Sequence, residues 1–345
     1  MSEVELPDQD AGTAHPSTCA TFIGHDAAEH ELARALAENR VHHAWLFHGP
    51  RGVGKATLAY RFARALLGAR LGGVRPLDTV EEDPIARRVA HGVHPDLFRL
   101  VRTVGDRGKL RREIVVDDVR ALQRFFSLHA LEGGRRVVLL DCADELNRNA
   151  ANALLKMLEE PPRGAVLLLI CHSLGAVLPT LRSRCLRVSF QRLTEAETAE
   201  VVQTQRAGEA PHPAVLRLAQ GRPGRAFQLL QGDAAGLLPE CERALQAAAG
   251  GSSLAFAGLI AGGADKLPRV LDIVQHLLQR AAAPQRDEPP PAWSTQHSPE
   301  AWAEAWLELS RLRDQAQALN IDPAHALLRI GAMLDLAARR RQASS

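Results

Sequence analysis

The run Gly49-Pro50-Arg51-Gly52-Val53-Gly54-Lys55 constrains this chain more than any other segment. In a G-x-x-x-x-G-K-[ST] loop, glycines let successive backbone N–H groups converge on phosphate oxygens, the lysine neutralises the outer phosphates, and the next hydroxyl holds Mg²⁺. Such a loop belongs between a buried strand and a helix. Ala44-Trp45-Leu46-Phe47-His48 reads as that strand and Leu58 to Leu67 as the helix, an order that argues against a glycine turn with no ligand. The pattern breaks at one place, because Lys55 is followed by Ala56-Thr57. Ala56 has no hydroxyl, and Thr57, one helical position on, is rotated by roughly 100° from the required direction. Gly49, Gly52, Gly54, Lys55, Ala56 and Thr57 therefore form a degenerate cradle suited to ATP or ADP, without a secure Mg²⁺ ligand and without fast hydrolysis. Whether ATP, ADP or neither occupies it stays open at this level.

The segments around the loop extend an α/β pattern. Ile114-Val115-Val116 is strand-like, and Asp117-Asp118 makes a helix start for Val119 to Leu131. Arg135 to Asp141 reads as a buried parallel strand, with its acid at the carboxyl end where open α/β sheets bind ligands. Asn149 to Glu160 is a helix stopped by Pro161-Pro162, Ala165 to Ile170 is a continuous apolar strand, and Leu186 to Phe190 is a last one. Residues 1–20 read as a loose lead-in, and Leu71 to Asp96 as a surface excursion with at most a short helix. Beyond about residue 190 only helical patterns remain: Thr194 to Gln205, Pro213 to Gln220, Gly224 to Leu230, Leu237 to Ala248, Ser253 to Gly262, Lys266 to Ala283, and two helices from Pro299 to Arg341. The Pro-rich insert Ala283 to Pro299 is the expected flexible loop among them. The expected division is an α/β domain at 1–192, a small helical unit at 193–235 and an all-helical domain at 236–345.

Composition narrows the function classes. The 42 basic and 40 acidic side chains leave a net charge of +2, too balanced for a protein that coats nucleic acid. The five cysteines are widely spaced with no C-x-x-C pair, which argues against a disulfide scaffold or a four-thiolate zinc site. No stretch approaches the roughly 18 apolar residues of a membrane span, and the acidic start is unlike a signal peptide. A cytoplasmic protein without membrane contact is expected.

Several segments together resemble the clamp-loader branch of the AAA+ ATPases. They are His42-His43-Ala44-Trp45-Leu46 leading into the loop, the run from Asn152-Ala153-Leu154-Leu155-Lys156 to Pro161-Pro162, and Leu181-Arg182-Ser183-Arg184-Cys185. Within that branch the likeness is greatest to the delta-prime subunits of bacterial DNA polymerase III, through His94-Pro95-Asp96-Leu97 and Glu132 to Val138, and more weakly through Leu319-Asn320-Ile321-Asp322-Pro323. The resemblance implies an α/β P-loop AAA+ domain with a parallel sheet, a small helical lid and an all-α collar domain. It further implies a hetero-oligomeric ring with clamp-loader ATPase subunits and a clamp-opening subunit, acting on a sliding clamp and primed DNA, in which this chain is a stator.

The resemblance also gives individual residues roles. Asp141-Cys142-Ala143-Asp144 occupies the place of the acidic strand-end motif, so Asp141 is a candidate to organise Mg²⁺ through water, while Cys142 cannot replace the glutamate that activates water. That base contributes typically 10²- to 10⁴-fold. Asp144 and Glu145 lie in the following turn and are not expected to stand in. Cys171-His172-Ser173 stands where a polar phosphate sensor is usual, and Gly224 stands where the lid would supply an arginine, with Arg225 one step off. Arg184 of the Ser-Arg-Cys motif is the expected arginine finger, completing a neighbouring subunit's site in trans, a role worth 10³ to 10⁵ in rate in phosphoryl-transfer enzymes. Arg182, Arg184 and Arg187 would otherwise be a solvated basic face. The small four-cysteine zinc module of the family has no counterpart, since 68–94 contains no cysteine, and no zinc or other metal ligand set is assigned. Two alternatives remain beside this reading: an ATP-hydrolysing motor subunit, and a DNA-binding module using Arg107, Lys109, Arg111, Arg112 or Arg339-Arg340-Arg341.

Overall fold

The structure is a computed structural model that describes residues 8–9, 12–80, 82–104, 110–127, 134–206, 208, 210–231, 234–252, 254–261, 266–283, 290–319 and 324–344. By its internal contacts the chain divides into two compact units: residues 1–211 with 219–228, and residues 212–218 with 229–345. The stretch 193–235, expected from sequence as one small helical unit, is divided between them.

The first unit contains α1 (Asp26–Ala37), β1 (Ala44–His48), α2 (Lys55–Leu66), α3 (Pro84–Ala90), β2 (Leu97–Val101), α4 (Val116–Ser127), β3 (Arg136–Asp141), α5 (Arg148–Glu159), β4 (Ala165–Cys171), α6 (Pro179–Arg182), β5 (Leu186–Ser189) and α7 (Glu195–Gln205). The five strands form one parallel sheet in the order β2-β3-β4-β1-β5. Helices cover both faces, so the central strands are apolar throughout instead of alternating. Trp45, Phe47, Val137, Leu139, Val166, Leu168 and Ile170 bury themselves against α2 on one face. Their sequence neighbours Ala44, Leu46, Val138, Leu140, Leu167 and Leu169 pack against α4 and α5 on the other. Each fully buried leucine in these layers stabilises the sheet by about 1.5–3 kcal/mol. This is the parallel α/β P-loop architecture expected from the strand, loop, helix order.

Two expectations need correction, and one strand is additional to them. Ile114-Val115-Val116 is not a strand: Ile114 makes a single parallel bridge to Leu146, and α4 already begins at Val116. The Asp118 carboxylate accepts the Val115 N–H at 2.9 Å, and this bond at the helix start lets α4 begin earlier than the apolar pattern indicated. Residues 12–20 are docked rather than loose. Ser17 Oγ donates to the Ala90 carbonyl at 2.7 Å, Arg61 donates to the Ala20 carbonyl at 3.1 Å, and Arg64 donates to the Ser17 carbonyl. The strand β2 was not recognised from sequence. It is a short, half-buried edge strand interrupted by Arg99, which pairs with the buried carboxylate of Asp8.

The excursion after α2 does hold one short helix, α3, capped by the Asp83 carboxylate. It is held down by ion pairs: Arg61 with Asp78 and Glu29, and Arg75 with Glu29 at 2.6 Å. Glu29 and Arg61 are both buried, and each has a charged partner, as a buried charge requires.

Two further helices follow α7: α8 (Pro213–Ala219), most of which falls in the second unit, and α9 (Pro223–Leu230), most of which falls in the first. The remainder of the second unit is helical: α10 (Ala234–Ala249), α11 (Ala257–Ala261), α12 (Leu267–Ala282), α13 (Pro299–Leu319) and α14 (Ala324–Ser344). Val270, Ile273, Val274 and Leu277 of α12 are buried with Leu245, Trp302, Leu309, Leu327 and Ile330. Between α12 and α13, residues 292–296 form a short 3-10 turn where the Trp302 indole donates to the Ser294 carbonyl at 2.8 Å. Part of the expected flexible loop is thus ordered against a core tryptophan, and residues 284–289 lie outside the described residues. Among the described residues, no helix is long and apolar enough to cross a membrane.

Candidate functional site

The cradle sits where β1 hands over to α2. Gly49, Gly52 and Gly54 all have positive φ, at 149°, 79° and 102°. At Gly49 a side chain is excluded twice over, because an added Cβ would also lie 2.3 Å from the Phe190 carbonyl oxygen. Gly52 accepts the Gly224 N–H at 2.9 Å. Gly224 stands where a sensor arginine was expected, and its backbone packs directly on the phosphate loop instead. The His25 ring nitrogen Nε2 lies 3.0 Å from the Val53 carbonyl oxygen and braces the loop from the other side; a carbonyl only accepts, so that nitrogen carries the proton. Sequence reasoning passed over His25 because nothing in its spacing connects it with the loop.

Lys55 opens α2 and is almost fully buried. Its ammonium donates to the loop's own carbonyls, Gly49 at 2.8 Å and Pro50 at 2.6 Å. Burial lowers its pKa to about 8, against the pull of Asp141 and the neighbouring acidic groups, which raise it. Asp141 closes β3, and burial, then the charge of Asp8, raise its pKa to about 7, while Lys55 opposes them. Cys142 is buried, and desolvation together with Asp141, Asp144 and Glu145 pushes its thiol far above the usual range. These residues line one open cleft. Ala56 and Thr57 contribute to the same lining, as do Asp8 and Phe22 from the docked lead-in.

The carboxylates after Asp141 have structural tasks. Asp144 accepts the backbone N–H of His172 at 3.1 and 3.2 Å and that of Ser173 at 3.1 Å, tying the turn after β3 to the end of β4. Glu145 pairs with Arg102 at 2.7 Å. The glycine cradle and Lys55 fit the phosphates of a nucleotide. Mg²⁺ fits poorly, because Asp141 is the one hard ligand at the positions the motif uses, beside a thiol and a methyl group.

Arg184 does not line this cleft among the described residues. It lies in the turn between α6 and β5, where Nη1 donates to the Thr180 carbonyl at 3.0 Å and Nη2 to Glu159 Oε1 at 2.7 Å. Glu159 ends α5, so two sequence segments that carried the resemblance meet at this ion pair. Cys185 beside it is buried, which fixes the backbone while the Arg184 side chain stays about one-third exposed. Arg111 and Arg112 are described and not brought to the cleft. Arg107 and Lys109, Asn320 to Pro323, and the side chains of Arg339, Arg340 and Arg341 lie outside the described residues.

A family profile described as DNA polymerase III, delta subunit, matches residues 24–194, which span the sheet, the phosphate loop and the Arg184 turn. Over these residues, about half of its length, the chain is similar to DNA polymerase III delta-type subunits. It is 43% identical over 145 residues to DNA polymerase III subunit delta' of Pseudomonas aeruginosa, covering 42% of each chain. It is 35% identical over 215 residues to the Yersinia pestis subunit delta', covering 60% of each, and 32% identical over 212 residues to subunit tau/gamma of Haemophilus influenzae, covering 61% of this chain and 29% of that one. The chain thus spans about half the length of the delta' relatives it matches. A DNA polymerase III gamma subunit-related protein of Thermotoga maritima has a similar fold, with TM-score 0.50 and 15% identity, covering 89% of this chain and 98% of the other.

Proposed function

We propose that this chain is a clamp-loader subunit of a replicative DNA polymerase holoenzyme that holds a nucleotide without hydrolysing it and completes a neighbouring subunit's ATPase site with Arg184. The observation that carries the reading is a division within the chain. The positions that would supply the Mg²⁺ hydroxyl and the water-activating base hold Ala56 and Cys142, whereas Arg184 is retained, partly exposed, and turned onto Glu159 away from the chain's own cleft. Asp144 and Glu145 are engaged with backbone amides and with Arg102 and are not free to replace the base. A guanidinium in that position is of no use to the phosphates of its own subunit and is available to those of a neighbour.

The partners that follow are the ATPase and clamp-opening subunits of a hetero-oligomeric ring, with the sliding clamp and primed DNA reached through that ring. The cradle binds ATP or ADP through backbone amides and Lys55, and this chain's residues orient the phosphates and exclude water without moving a proton from it. The test is steady-state ATP turnover by the isolated full chain with Mg²⁺. Turnover no greater than buffer is expected, and a rate comparable to that of the motor subunits would overturn the non-hydrolysing assignment.

A further inference from the structure

The replacement that removes the catalytic base also brings a thiol to the strand ends. Asp141 is opposite Ile170 in the β3–β4 register, so the residues just past both strands emerge side by side. A carboxylate oxygen of Asp141, the sulfur of Cys142 and a ring nitrogen of His172 all lie within 4.8 Å of one another, and all three residues line the phosphate cleft. Asp144 holds this arrangement by accepting the amides of His172 and Ser173, and so acts as a positioning residue.

We propose that Asp141, Cys142 and His172 bind a single zinc-class divalent cation at the carboxyl ends of β3 and β4. One thiolate, one imidazole and one carboxylate form a donor set for Zn²⁺ or Co²⁺, whereas Mg²⁺ takes octahedral oxygen ligands. A tetrahedral ion with bonds of about 2.0–2.3 Å sets its ligands roughly 3.5 Å apart, which the three side chains reach by closing no more than about an ångström. Three protein ligands leave the fourth position to water or to a phosphate oxygen in the cleft. Binding replaces the Cys142 thiol proton, which passes to solvent as the sulfur–metal bond forms. The site is distinct from any module in 68–94, and sequence spacing conceals it because Cys142 and His172 come from different strands.

Titration of the full chain with Co²⁺, without nucleotide, tests the site independently of nucleotide binding. The expected result is one equivalent of Co²⁺ giving a sulfur-to-cobalt charge-transfer band and the intense visible bands of a tetrahedral ion. Cys142→Ser should abolish the charge-transfer band, and His172→Ala should weaken binding by about tenfold or more, a loss seen even for outer-shell partners. Cys171→Ser, at a buried thiol outside the trio, should change neither. Circular dichroism establishes that each variant is folded, and an unfolded Cys142→Ser leaves the decision to His172→Ala and Cys171→Ser. The proposal is overturned if no charge-transfer band forms, if a band survives in folded Cys142→Ser, if His172→Ala binds as tightly as the wild type, or if Cys171→Ser loses the band.

Discussion

Asp141→Asn is expected to stabilise the α/β unit at neutral pH, because the native carboxylate is held in an unfavourable place. Burial and the charge of Asp8 raise its pKa from 3.8 to about 7. Between those values the folded state binds more protons than the unfolded state, so the favourable contribution is complete below about pH 4 and is lost as the pH rises through 7. The difference corresponds to about 4 kcal/mol at roughly 1.4 kcal/mol per pKa unit. Lys55 reduces the gain. Its ammonium is the main charge favouring the Asp141 carboxylate, and Asp141 is in turn the main charge supporting Lys55, so an asparagine leaves a buried lysine with less support. The raised value of about 7 already includes this pull of Lys55, so the expected gain is at most about 4 kcal/mol at pH 8 and near zero at pH 4. Hydrogen exchange of the β3 and β4 amides measures this for the α/β unit, whatever the helical unit does. Protection at pH 8 no greater than wild type, or a gain that does not depend on pH, would refute the raised pKa of this partly buried acid.

Two other outcomes follow from the cradle. Lys55→Ala should weaken binding of a fluorescent ADP analogue by about 10-fold or more, consistent with the 1.5–3 kcal/mol of a charge-assisted hydrogen bond, and wild-type affinity should fall as the pH rises through about 8, where Lys55 loses its proton; titrations from pH 7 to pH 9 check both. Gly49→Ala should cost about 3 kcal/mol, since it combines a positive φ with a Cβ driven into the Phe190 carbonyl. The exchange protection of β1 amides would read that loss directly.

The α/β unit was legible wherever burial is two-sided. β1, β3 and β4 are continuous apolar runs because helices cover both faces, and that pattern survives in a single sequence. β2 was missed because an edge strand with a central arginine lacks it, and Arg99 makes sense only once Asp8, distant in sequence, is beside it. The lead-in reads as polar and loose for a similar reason: two of its anchors are backbone carbonyls gripped by Arg61 and Arg64, which leave no mark on the lead-in's own composition. The cradle and its missing hydroxyl were fully visible, being local in sequence. The pairing of Arg184 with Glu159 and the meeting of Cys142 with His172 are products of strand order, which no local spacing encodes.

Service of Arg184 to a neighbour's nucleotide, and not its own, is read from DNA-stimulated ATP turnover in the assembly reconstituted with the motor and clamp-opening subunits, with wild-type chain or Arg184→Ala. With Arg184→Ala the assembly should still form while turnover falls by about 10³ or more at the site facing Arg184, in line with other arginine fingers. Because other motor sites in the ring would continue to turn over, the loss is read as the missing fraction of the single-turnover burst. An intact burst and unchanged steady-state rate with Arg184→Ala would contradict it and leave this chain a scaffold.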